Sequence, residues 1–312
     1  MAGPPKLVLK QKMMRGVLLS LAPAALWAVH SYGWRAAFIL FSTMLAALLT
    51  EGAFLWPKKK PVSEAALVTG AILGLSLPPA LPLWMGPAGA VVAIVFGKMV
   101  FGGFGMNPFN PAMVGRTFIY LAFPLAMTTA WSQPADLPLG GLASWGVDAV
   151  TGATPIAAAK QGASLPLLDL LLGRGGGSIG EGARILLILG GLYILWKKYA
   201  KWRHVVATLL GAAGMSAILW GAGVDGAADP LTTVLTGGLI LGAFFISTDP
   251  ISAARTNPGA WIYGVGVGVI TVLIRVFGAF AEGFMFAILA GNMIGSFADW
   301  WFTDRKAAKE ES

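Results

Sequence analysis

Apolar runs of about 17 to 22 residues follow one another along the whole chain, parted by short polar or proline- and glycine-rich connections. They fall at roughly 15–31, 36–56, 65–82, 86–103, 112–131, 183–200, 204–221, 233–249, 260–277 and 283–302. Crossing a hydrocarbon core of about 30 Å takes about 20 apolar residues of helix, so the pattern predicts ten transmembrane helices. Trp27, Trp34, Trp56, Trp131, Trp202, Trp300 and Trp301 gather at run ends, the level at which amphipathic rings sit between water and lipid. The fold class expected is an all-α polytopic membrane protein.

The two halves echo each other. Gly70–Gly74 matches Gly238–Gly242, Val100–Phe104 matches Val276–Phe280, and Pro111–Gly115 matches Ala287–Gly291. Five spans per half make the second copy enter from the opposite side, so the expected architecture is two inverted five-helix repeats. The first repeat covers residues 1–131, a long loop covers 132–182, and the second repeat with a terminal tail covers 183–312. Both copies interrupt a run with proline, at Leu77–Pro82 and at Thr248-Asp249-Pro250, the latter followed by Thr256–Gly259. Broken backbone at membrane depth survives only where it is buried in protein or lines a cavity. Paired interruptions, with Asp249, Thr256 and Asn257 beside the second, point to a site at the pseudo-twofold axis.

Charge orients the spans. Hydrophobic residues make up 56% of the chain and charged residues 12%, and the net charge is +8. Basic clusters lie at Lys6/Lys10/Lys12/Arg15, Lys58–Lys60, Lys197/Lys198/Lys201/Arg203 and Arg305/Lys306/Lys309, which the span count places on one side. The 222–230 connection, with Asp225 and Asp229, falls on the other. The positive-inside rule then puts both termini in the cytoplasm and the 132–182 loop outside it, and accounts for the basic residues without nucleic acid. The first run resembles a signal peptide, but its Pro23 and the closely following second span favour an uncleaved helix. There is no Cys, and the only histidines are His30 and His204. Thiolate-ligated iron–sulfur clusters, haem, disulfides and histidine-rich metal sites are thereby excluded, and redox chemistry would need an organic cofactor or a partner.

Candidate chemistry concentrates in two polar stretches. Asp148-Ala149-Val150-Thr151-Gly152-Ala153-Thr154 sets a hydroxyl among tiny neighbours in the one long polar loop. The nearby Gly173–Gly177 run reads as a linker more readily than as a phosphate nest. In Asn107-Pro108-Phe109-Asn110-Pro111 a proline follows each asparagine, keeping it out of α conformation, while Pro111 suits a first helical turn. The two amides are then free to face a ligand, or they cap the helix. Lys98 is expected to snorkel to the interface, Arg275 and Glu282 to form a local ion pair at the interface, His30 and His204 to sit at span ends, and the methionines to pack.

Gly102–Arg116, Asp148–Thr154 and Ser247–Ala253, in that order and at those separations, carry a resemblance over nearly the whole chain. It is to the RnfD/NqrB family, whose members are membrane subunits of the Rnf electron-transport complex and of the sodium-pumping NADH:quinone reductase. The NPxNPAxxGR and DxxTGAT elements are the specific parts. The resemblance implies FMN bound to Thr154 through a phosphoester, attached outside the cytoplasm by a flavin transferase. Gly152 and Ala153 would give the transferase room, while Asp148 and Thr151 would bind a metal or hydrogen-bond the enzyme. It also implies a non-covalent riboflavin near the cytoplasmic end, for which Asn107 and Asn110 are the candidates to hold the ring. Arg116 is a candidate to balance a reduced flavin's charge.

The function so implied is electron transfer across a bacterial inner membrane, from FMN to riboflavin, within an ion-translocating ferredoxin:NAD+ oxidoreductase. Partner subunits, among them a second covalent-FMN subunit and iron–sulfur subunits, would supply the nicotinamide and ferredoxin chemistry. This chain has no GxGxxG after a strand and so no expected NADH site; no catalytic residue or metal ligand is assigned to it. Coupling to Na+ or H+ follows from the resemblance alone. The first span begins within about 15 residues of the start, whereas the quinone-reductase member has a longer amino-terminal extension, so the Rnf member is the closer expectation. The alternative of a different class is a solute channel or transporter of urea- or ammonium-permease type, which would carry no flavin.

Overall fold

The computed structural model describes residues 8–135, 140–146, 154–163, 166–278, 280 and 282–310, and for residues 183 and 305–310 the backbone alone. Each predicted span contains helix, and the only strands among the described residues are the two-residue pair β1 (Val8–Leu9) and β2 (Val62–Ser63), joined in parallel. The chain is an all-α polytopic membrane protein. By length and apolarity alone, four helices among the described residues suffice to cross a bilayer, and three shorter apolar helices accompany them.

α1 (Lys12–Tyr32) and α2 (Trp34–Leu55) form a hairpin that turns at Gly33. Gly33 has φ +81°, and a Cβ there would meet the carbonyl oxygen of Ser144 at 2.9 Å, so both conformation and space call for glycine. α3 (Glu64–Leu75) ends early, and Ser76–Trp84 run on without helix before α4 (Met85–Ile94). Four of that segment's polar groups find partners beyond the segment and the helices it joins. The carbonyls of Ala80 and Leu81 accept from the Arg35 guanidinium at 3.2 and 3.0 Å, Leu77 O accepts from Ile179 N–H, and Ala80 N–H donates to Ala130 O. A proline-rich break survives at this depth because it lies inside protein.

A π turn over Val95–Met99 extends α4, and α5 (Pro111–Ala122) follows, with α6 (Pro124–Thr129) behind a bend at Phe123. The loop beyond carries α7 (Pro155–Lys160) and α8 (Leu167–Leu172). The second half holds α9 (Arg184–Trp196), α10 (Trp202–Gly221), α11 (Pro230–Leu235), α12 (Leu239–Leu241), α13 (Asn257–Phe277) and α14 (Phe284–Glu310). A π turn over Gly242–Ile246 prolongs α12. The predicted 233–249 run is thus broken twice, after Ile246 as expected and also at Thr236–Gly238, where Gly237 has φ +63°.

In the first half α2 packs on α3 and α4, and α4 on α5; in the second, α10 packs on α11 and α13, and α13 on α14. The halves meet where α1 lies on α9 and α5 on α14. Gly211, Gly264 and Gly268 let α10 and α13 approach backbone to backbone: a Cβ on Gly268 would clash with the Thr208 carbonyl, and one on Gly211 with that of Val265. Small residues at a crossing supply the close contact that lipid cannot drive by the hydrophobic effect.

Candidate functional site

α5 and α6 lead from a buried polar centre at Asn110 towards the loop that bears Thr154. Twelve and six residues of helix correspond to about 27 Å of rise, with Asn110 at one end and the loop bearing Thr154 beyond the other.

At the first end Asn110, with φ −65° and ψ 116°, caps α5 by accepting at Oδ1 from the Met113 N–H. Its Nδ2 donates to Asp249 at 3.2 Å, and its backbone N–H donates to Asn292 Oδ1 at 3.0 Å. Asn292, fully buried on α14, donates in turn to the Ser252 carbonyl. Asp249 also accepts from the Ile251 N–H and the Ser252 hydroxyl. Both polar atoms of the Asn110 side chain are therefore engaged within the protein, in place of the free amide the sequence suggests. Asn107 donates to the Phe109 carbonyl at 3.2 Å.

Both asparagines line a cavity enclosing ≈ 680 Å³ of non-atom space, its open mouth included, and narrow throughout. Its walls are largely apolar, with Met13, Val17, Ile72 and Phe245 facing Lys98 and Thr248. Lys98 does not snorkel. It is 2% exposed and donates to Glu51 on α2 at 2.5 Å and to the Ser63 hydroxyl at 2.7 Å, while Ser63 donates to Glu51 through both N–H and Oγ. A buried carboxylate within reach outweighs the pull of the interface on a lysine whose bonds are this well satisfied.

Six residues beyond Asn110, midway along α5, Arg116 forms a buried ion pair with Glu282, and Glu282 also accepts from the Gly238 N–H at 2.6 Å in the second break. This corrects the expectation that Glu282 pairs locally with Arg275. Arg275, buried on α13, instead donates to the Thr233 and Thr236 carbonyls at 2.8 and 3.1 Å, because the ending of α11 leaves those carbonyls without helical partners. Glu181 and Arg184 lie nearby, 3.6 Å apart and buried, with Ser178 donating to Glu181. His204 is buried rather than interfacial, its Nε2 lying 2.9 Å from the Ala254 carbonyl.

Thr154 caps α7. Its Oγ1 accepts from the Ala157 N–H at 3.3 Å, and the residue is half-buried. Asp148, Thr151, Gly152 and Ala153 lie outside the described residues. Ile156, Ala159 and Lys160 of α7 line a second cavity together with Ser216, Thr233 and Arg275. The Gly173–Gly177 segment is packed rather than a free linker: a Cβ on Gly175 would stand 2.8 Å from Pro155, and Gly176 and Gly177 are buried.

The sequence model of the NQR2, RnfD, RnfE family matches residues 8–308. The chain belongs to this family. It is 37% identical over 325 residues to the D subunit of the ion-translocating oxidoreductase complex of Halorhodospira halophila, covering 94% of this chain and 90% of that one. It is 36% identical over 304 residues to the D subunit of the proton-translocating ferredoxin:NAD(+) oxidoreductase complex of Clostridium ljungdahlii, covering 92% and 88%. The D subunit of the ion-translocating oxidoreductase complex of Alcanivorax borkumensis is 35% identical over 320 residues, covering 96% and 93%.

In this member of the family the motifs mark Thr154, Asn107, Asn110 and Arg116, but they leave out Glu51, Asn292 and the inward turn of Lys98. A signal existed. Glu51 is the one acid in the 36–56 run, and Asn292 a lone amide in 283–302; polar groups inside a membrane segment call for a partner or a function.

Proposed function

We propose that the chain is the membrane-embedded subunit of an ion-translocating oxidoreductase complex and carries electrons between flavins at opposite ends of α5 and α6. FMN is esterified to Thr154, and riboflavin occupies the cavity beside Asn107 and Lys98. The observation that carries this reading is the presence, in one chain of this family, of a half-exposed threonine hydroxyl at one end of the helical path and a narrow, largely apolar cavity at the other.

The residues fit both groups. Among the described residues Thr154 Oγ1 acts only as an acceptor, so its proton is available to leave. In attachment by a flavin transferase, Oγ1 bonds to the FMN phosphorus of FAD, the phosphoanhydride bond breaks, AMP departs and the hydroxyl proton goes to solvent. Riboflavin is planar and uncharged, with a polar edge, which suits an apolar slot bearing a few fixed polar groups. Asn107 lines that slot, Asn110 braces its wall through Asp249 and Asn292, and the Lys98–Glu51 pair sets a satisfied charge beside it. The flavins supply the electron-carrying chemistry; the chain binds them, keeps water out and fixes their separation.

The relatives' names, one of which specifies a ferredoxin:NAD(+) oxidoreductase complex, favour ferredoxin:NAD+ chemistry over quinone reduction. Nicotinamide, ferredoxin and iron–sulfur clusters then belong to partner subunits, and the Thr154 face receives electrons from a second covalent-flavin subunit outside the cytoplasm of the bacterial inner membrane. A denaturing gel of the chain made together with a flavin transferase tests the reading: an ultraviolet-fluorescent band supports it. A dark band from wild-type protein overturns it and leaves the channel alternative.

A further inference from the structure

We propose that the furrow between α1 and α9 holds one acyl chain of an anionic phospholipid, and that Lys197 and Lys12 at its basic end bind the lipid's phosphate. This site is separate from the flavin sites proposed above.

Backbone contact builds the furrow. α1 and α9 approach so closely that a Cβ on Gly190 would clash with the Ser20 carbonyl. The missing side chain leaves an open channel of ≈ 390 Å³ along the helix pair, lined mostly by apolar surface. Leu19 and Pro23 form one wall, and Leu186, Leu189 and Tyr193 the other. Leu19 and Leu189 stand exposed at its rims. A transmembrane helix, about 10 Å across with its side chains, would ride on those rims, whereas a single hydrocarbon chain lies between them.

Both walls lead to a cation. Leu186, Leu189, Gly190 and Tyr193 repeat at helical spacing, and the next turn of that face carries Lys197, whose N–H still donates to the Tyr193 carbonyl at 2.9 Å. The Lys197 ammonium stands 6.0 Å from the Tyr193 ring and 4.2 Å from that of Trp196. On α1, Arg15 and Lys12 lie one and two turns before Leu19 on the same face. Tyr199, two residues past Lys197, packs on α1 so tightly that a Cβ on Gly16 would overlap its ring, which sets the two basic ends side by side.

Charge and level select the ligand. Arg15 is paired with Glu64, but Lys12 and Lys197 are exposed and, among the described residues, belong to no ion pair. Tyr and Trp rings mark the level at which headgroups sit, so the Lys197 ammonium, held over two of them, lies where a phosphate would be. Positive charge at a span end is common; what singles out this one is the apolar furrow that runs into it. Basic pockets between transmembrane helices recognise anionic headgroups in this way. Lys198 closes the turn after α9 at φ +58°, a conformation that glycine adopts freely, and so keeps a third positive charge there.

The test uses the purified whole complex in detergent, supplied in turn with phosphatidylglycerol and phosphatidylcholine that carry a photoactivatable group on one acyl chain. Labelled peptides are mapped by mass spectrometry after illumination. In wild type the phosphatidylglycerol probe should label peptides of α1 or α9 several-fold more than the phosphatidylcholine probe. Lys12→Gln/Lys197→Gln, at two exposed positions that spare the fold, should remove that preference. Leu189→Trp, which fills the furrow from its rim, should cut labelling by both probes. If the two lipids label these helices equally in wild type, or the double variant keeps the preference, no headgroup is bound here and the proposal is overturned. It is overturned too if neither probe labels α1 or α9, the outcome expected where a partner subunit's helix covers the furrow.

Discussion

Arg116 on α5 forms a buried ion pair with Glu282, which stands two residues ahead of α14. Its counterpart runs the opposite way: Asn292, within α14, accepts from the backbone N–H of Asn110, one residue ahead of α5. Each helix of the α5–α14 contact therefore holds the chain leading into the other, one clamp near each end. The matched stretches of the two halves, Pro111–Gly115 and Ala287–Gly291, are offset by the same interval that separates Arg116 from Asn292. Arg116 and Asn292 are thus equivalent positions given different chemistry, one charged and one neutral.

Breaking the charged clamp from one side leaves a buried, unpaired charge. Glu282→Ala is expected to destabilise the chain by about 3 kcal/mol or more, as removal of one partner from a buried ion pair does. The double variant Arg116→Met/Glu282→Leu should recover much of that loss. Thermal unfolding of the purified complex in detergent, compared across wild type and the two variants, checks the order.

Glu51→Gln removes the carboxylate that holds Lys98 inward and leaves the ammonium buried in the wall of the Asn107 cavity. Non-covalent flavin is expected to be lost from the preparation while the covalent band on Thr154 stays. Acid extraction followed by chromatography counts the released riboflavin, and an unchanged yield would detach the Lys98–Glu51 pair from cofactor binding.

Gly175 packs on Pro155, the residue after Thr154. Gly175→Val pushes α7 away from its seat, so attachment of flavin to Thr154 should fall although the protein accumulates normally. The ratio of in-gel fluorescence to protein stain measures this.

Asp229 caps α11 and accepts from the Leu231 and Thr232 N–H groups, each at 3.0 Å. Burial alone would raise its carboxyl, but the hydrogen bonds from Thr232 and Leu231 outweigh that and hold it below the ordinary aspartate range. A carboxyl lowered in the folded state adds stability that is complete above its unfolded pKa and lost as pH falls through the folded one. Asp229→Ala is therefore expected to cost about 1 kcal/mol at neutral pH, as loss of a cap does. The gap between the two melting curves should narrow as pH drops below about 4, the unperturbed aspartate value.

Much of the fold could be read from the chain because hydrophobic length alone defines a span. The runs beginning near residues 15, 36, 204 and 260 became α1, α2, α10 and α13 with ends moved by a few residues. What periodicity could not show was the fate of charges inside those runs. Lys98 near the end of its run reads as an interfacial lysine until Glu51, 47 positions earlier, is known to stand beside it. Glu282 and Arg275 are near in sequence, but the contact of α5 with α14 that brings Arg116 to Glu282 is visible only in three dimensions. The second break at Gly237-Gly238 was present in the sequence as a glycine pair but lies inside an otherwise unbroken apolar run. At Asn110 the sequence left two readings open, and the structure shows the side chain capping the helix while lining the cavity.

The central claim is that Thr154 carries a flavin. Denaturing electrophoresis under ultraviolet light tests it most directly, combined with the mass of the peptide spanning Thr154, for wild type, Thr154→Ser and Thr154→Ala made together with a flavin transferase. A fluorescent band and an FMN mass increment are expected in wild type, and no band in Thr154→Ala; Thr154→Ser, which keeps a hydroxyl, should retain some of it. A fluorescent Thr154→Ala band, or a wild-type peptide of unmodified mass, would contradict the account.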